Sequence, residues 1–144
     1  MSMTQFRTIA FLVLAVVTFA AYVVVVLRRA DGGPIDEVAY AAPMLWSIGL
    51  GIVVAILAEI VARIVWFERR GEVDGDERDA VVDQRGEQAG SAFVAIGGGA
   101  AMLMAIAEWD YFWIANTLYA AFAIAGIVAC AAKLAFYRWG VPSW

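Results

Sequence analysis

Four long apolar stretches alternate with short polar ones along the chain, and the longest polar stretch is Glu68 to Gly90, ERRGEVDGDERDAVVDQRGEQAG. That segment is too charged to lie within a membrane, while its neighbours are too apolar to be covered by water. Thr8 to Leu27 carries no charge over about 20 residues, the length that crosses a hydrocarbon core of about 30 Å at about 1.5 Å per residue. It ends on Arg28-Arg29 rather than on a small-residue cleavage site, which favours a retained span over a signal peptide. Asp31-Gly32-Gly33-Pro34 supplies turn chemistry, and Pro43 is tolerated at the start of the next helix. Met44 to Phe67 is the second span, with Trp46 and Trp66 placed as interfacial residues near its two ends. Ser91 to Ala107 is a short third span, Glu108-Trp109-Asp110 a tight polar turn, and Phe112 to about Tyr137 the fourth, before Gly140 and Pro142 stop the helix.

The expected fold is all-α, an integral membrane four-helix bundle forming a single domain over 1–144. Two transmembrane hairpins, spans 8–27 with 44–67 and 91–107 with 112–137, are joined by the connector 68–90. Composition agrees, since 64% of the chain is hydrophobic against about 45–50% in ordinary globular proteins. About half of the charged side chains fall in the connector, so the net charge of −4 describes the loops and argues against direct binding of nucleic acid. The chain has no histidine and one cysteine, Cys130, within an apolar run, which removes His-dependent triads, cysteine zinc sites and internal disulfides. No cofactor or metal site is expected, and the chain is not expected to be an enzyme. Glu108 and Asp110 make only a nonspecific acidic pair.

Orientation follows from the basic residues. With the N-terminus inside, Arg7, Arg63, Arg69, Arg70, Arg78, Arg85, Lys133 and Arg138 lie at the cytoplasmic side and only Arg28 and Arg29 outside. Both termini and the connector are then cytoplasmic. Gly97, Ala101 and Ala105 of the third span and Ala121, Ala125 and Ala129 of the fourth form small-residue rows that let helix backbones approach, within one bundle or between copies in a homo-oligomer. The two hairpins share no internal repeat.

Two groups of residues offer chemistry. Glu59 and Arg63 sit one turn apart inside the second span, an intramembrane pair that is either structural or part of a path for a solute. In the connector, Asp74-Gly75-Asp76-Glu77 is a variant capping box opening a short helix from about Gly75 to Ala89. On that helix Asp76, Asp79, Asp83 and Glu87 share an arc of about 80°, with Arg78, Val81, Val82, Arg85 and Ala89 opposite within about 100°. The acidic ridge, with Glu77, is the expected surface for a cytoplasmic protein partner. Arg78 and Arg85 are expected to face anionic headgroups and the neighbouring helix ends. Asn116 and Thr117 are as suited to bonding neighbouring helices as to a ligand.

The run Asp76-Glu77-Arg78-Asp79, with Val82 four residues after the arginine and a glycine- and alanine-rich span soon after, resembles a family of small bacterial and archaeal four-helix membrane proteins of unassigned function. The resemblance implies two hairpins, residence in a bacterial or archaeal cytoplasmic membrane, and the Asp-Glu-Arg motif before the third helix. Some members are encoded beside small helix-turn-helix regulators, which implies sensing or the tethering of a regulator. The expected role is that of a non-enzymatic membrane protein acting through the connector. The alternative is a small oligomeric transporter or channel using Glu59 and Arg63.

Overall fold

The computed structural model describes residues 3–67 and 77–140, with only the backbone described at 3, 4, 62, 63, 65–67, 77 and 78. Four helices account for nearly all of it: α1 Met3–Ala30, α2 Ala41–Phe67, α3 Glu77–Ile106 and α4 Tyr111–Trp139. Each is long and apolar enough to cross a membrane, and at most 17% of the residues in any span are buried by the protein itself. Such exposure of apolar side chains, including Leu45, Trp46, Ile64 and Ile96, suits helices whose solvent is lipid.

The punctuation read from the sequence acts where the helices stop. After α1, whose last turn holds Arg28 and Arg29, Asp31 (φ 43°) and Gly32 (φ 81°) take left-handed conformations, and Gly33 N–H donates to the Ala30 carbonyl at 2.7 Å. A short 3-10 turn, Ile35–Glu37, then leads to α2, with Pro43 in its first turn. Between α3 and α4, Glu108 (φ 55°) reverses the chain and the Asp110 carboxylate caps α4 by accepting from Phe112 N–H at 2.7 Å.

The helices pack in the spatial order α2, α1, α4, α3. The α3–α4 seam is the most extensive, α1 lies against α4, and α2 packs mainly on α1, touching α4 through Ser47 and Tyr119. Among the described residues α2 buries no side chain, so it stands at the edge of the row. A small aromatic core ties the first three together at the end remote from the chain termini. Tyr22, Val26 and Phe112 are buried there among Ile35, Val38, Tyr40, Met44 and Tyr119.

The connector differs most from expectation. Residues 77–90 are not a separate helix; they are the first turns of α3, which runs unbroken to Ile106. Gly86 and Gly90 are buried in the seam. A Cβ on Gly90 would lie 2.5 Å from the Ala125 carbonyl oxygen and 3.0 Å from the Ala129 Cβ, and one on Gly97 would collide with Ala121. The glycines let two backbones touch, and this contact supports the helix through positions where its intrinsic propensity is poor. The proposed start at Asp74 and Gly75 lies outside the described residues.

Candidate functional site

A cluster of paired charged side chains lies at one end, where α1 and α3 begin and α2 and α4 finish. Lys133 of α4 reaches α3, with its Nζ 3.1 Å from Asp83 Oδ1 and donating to Glu87 Oε1 at 2.8 Å. Its stem crosses the bare backbone of Gly86, where a Cβ would strike Lys133 Cγ and stand 3.0 Å from the Ala129 carbonyl oxygen. The side chain is only 14% exposed, so its ammonium has exchanged much of its water for two carboxylates, while those of Asp83 and Glu87 remain 55% and 71% exposed. Val82 is fully buried one residue away. Lys133 is thus a staple between α4 and α3, and it relieves the repulsion between two acids one turn apart.

Arg7 supplies the second link. Its Nη2 lies 2.8 Å from Glu59 Oε2, joining α1 to α2. The side chain of Arg63 lies outside the described residues. Glu59 therefore has a partner on another helix that no local spacing rule identifies. A pocket of about 120 Å³ beside this pair is lined by Phe6, Leu14 and Val54 and is nearly all apolar.

Arg7 also faces a larger cleft of about 630 Å³ between α1 and α3, floored by α4. At its mouth are Arg7, Asp83, Glu87 and Lys133; further in, the lining is Phe11, Val94, Phe122 and the small residues of α4. Cys130 lies on this floor, half-buried. Among the described residues no group of three or more acidic or cysteine side chains is arranged to hold a metal ion.

At the opposite end the polar residues serve packing. Tyr22 donates to Asn116 Oδ1 at 2.6 Å, and the Ser47 and Tyr119 hydroxyls lie 2.8 Å apart, so α1, α2 and α4 are cross-linked by hydrogen bonds within an aromatic cluster. Asn116 Nδ2 donates back to the Phe112 carbonyl, and Thr117 contacts Met104 Sδ of α3.

Of the residues singled out from the sequence, Asp83 and Glu87 come together at Lys133 and Glu59 meets Arg7. Asp79 and Arg85 are half-buried on the same stem of α3. Asp76 and the side chains of Glu77 and Arg78 lie outside the described residues. The seam runs through Val82, Gly86, Gly90 and Gly97, rotated about 100° from the face centred on Arg78 and Arg85. Val81, expected on the packed side, is 44% exposed. Lys133 and Arg7 entered the sequence reading only as loop-side charge. Lys133 stands four residues after Ala129, continuing the small-residue row, and that register is the one signal that could have placed it against α3.

No family model, curated protein or solved structure matches this chain.

Proposed function

We propose that this chain is a non-enzymatic protein of a bacterial or archaeal cytoplasmic membrane, with both termini and residues 68–90 in the cytoplasm, that senses or tethers a cytoplasmic protein through the stem of α3. The observation that carries the reading is the continuity of α3 from the charged segment into its apolar span. A partner that grips the stem acts on the span without an intervening hinge, and the Lys133 staple passes the same displacement to α4. Asp83 and Glu87 keep most of their surface open while bound to Lys133, so a basic partner can reach their remaining lone pairs. The family resemblance through Asp76, Glu77, Arg78 and Asp79 belongs to this proposal, as does any homo-oligomer packed on the open side of α2.

Transport through Glu59 and Arg63 is the weaker reading, because Glu59 adjoins the small apolar pocket rather than the large cleft. The test is capture of the intact protein from its native membrane, with and without Asp83→Asn and Glu87→Gln. Loss of a specific cytoplasmic protein from the captured set, with membrane residence and helicity retained, is expected. An unchanged captured set contradicts the assignment of these two residues.

A further inference from the structure

We infer that the cleft between α1 and α3 binds one phospholipid whose headgroup carries a primary ammonium, a phosphatidylethanolamine. The inference rests on the reading that the helices span a bilayer with their charged end at headgroup level. Charge across the mouth of the cleft alternates. On the α1 side Arg7 commits one guanidinium nitrogen to Glu59 and has further donors for a phosphate. On the α3 side two carboxylates share the single ammonium of Lys133, leaving an excess negative charge on side chains that are still accessible. A headgroup with phosphate toward α1 and ammonium toward α3 is complementary to both walls. A purely anionic headgroup would meet the carboxylates, and a choline headgroup has no N–H to donate to them.

The inner part of the cleft suits an acyl chain. Phe11, Val94 and Phe122 wall it, and Gly126 keeps its α4 floor low. A volume of about 630 Å³ is within the range of small-molecule sites, about 300–1,000 Å³. No extensive packing joins α1 to α3, so a chain can enter sideways from the bilayer.

The experiment titrates purified protein, in detergent, with phosphatidylethanolamine, phosphatidylcholine and phosphatidylglycerol of identical acyl chains, and reads bound lipid by native mass spectrometry. Retention of phosphatidylethanolamine about tenfold above the others is expected from charge-assisted hydrogen bonds formed by that headgroup alone. Gly126→Leu should remove this retention. A Cβ at Gly126 meets nothing within 4 Å, so the leucine occupies the cleft while helicity and thermal stability persist. Asp83→Asn with Glu87→Gln should abolish discrimination between ethanolamine and choline while leaving chain binding. Equal retention of all three lipids by the parent protein, or a preference that survives both changes, overturns the site. Release of the protein from carbonate-washed membranes would instead defeat the bilayer reading on which the site depends.

Discussion

Replacing Gly90 with alanine probes the α3–α4 seam at the point where backbone meets backbone. The added Cβ would stand 2.5 Å from the Ala125 carbonyl oxygen and 3.0 Å from the Ala129 Cβ, and a main-chain oxygen cannot rotate aside. The helices must separate locally, and a gap of about 0.5–1 Å forfeits a quarter to a half of the dispersion energy of each facing contact. Overpacking of this kind costs about 1–3 kcal/mol. The substitution also gains helix propensity, about 1 kcal/mol for Gly to Ala, so the control must carry the same gain. Gly98→Ala provides it, since a Cβ there meets nothing within 4 Å on the same helix. Propensity cancels between the variants, and Gly90→Ala is expected to be the less stable by about 1–3 kcal/mol. Denaturation in mixed micelles, followed by tryptophan fluorescence and far-UV circular dichroism, measures the difference. Equal stability of the two variants would refute the close approach of α3 and α4.

Other perturbations test the links between helices. Arg7→Glu should destabilise the protein and Glu59→Arg in that background should restore part of the loss, with a coupling energy of about 0.5–3 kcal/mol in a double-mutant cycle; additive effects would separate the two residues. Lys133→Met should raise hydrogen exchange over residues 79–88 while costing about 1 kcal/mol or less in global stability, because its partners are largely exposed; unchanged exchange would remove the staple. Tyr22→Phe should cost about 0.6–1.7 kcal/mol through loss of the bond to Asn116, read in the same unfolding assay, and a neutral result would make that bond incidental. In a Cys130→Ala background, Gln88→Cys should be shielded from an impermeant thiol reagent in intact cells and Asp36→Cys labelled; the reverse pattern would invert the proposed orientation.

The four helices were legible because an apolar run of about 20 residues has few other uses, and because Asp31-Gly32-Gly33-Pro34 and Glu108-Trp109-Asp110 are chemistry that ends helices. The small-residue rows were legible in part: Ala101, Ala125 and Ala129 are buried, whereas Ala105 is exposed beyond the end of the seam. Local spacing did not mark Gly86 and Gly90 as contact positions, and only the opposing backbone of α4 shows why glycines of poor helix propensity are tolerated there. The same limit applies to charge. Spacing rules find partners one turn away, such as Arg63 for Glu59, but Arg7 and Lys133 reach their partners across helices, and their pairing depends on helix order and rotation. Of the valines on the expected arginine-and-valine face, Val82 is buried in the seam and Val81 is exposed, since close approach is set by the residues with the least side chain, Gly86 and Gly90, on the neighbouring arc.

The continuity of α3 from its charged start into its apolar span is tested most directly by the distance between spin labels at Ala80→Cys and Met102→Cys, in a Cys130→Ala background, with the protein in lipid bilayers. Both positions are exposed on α3. An unbroken helix places their backbones about 33 Å apart at about 1.5 Å per residue, whereas a bend of about 90° at Gly90, with the stem lying on the membrane, brings them to about 23 Å. A continuous α3 gives a single narrow distribution near the longer distance, and a distribution centred near the shorter one would contradict that continuity.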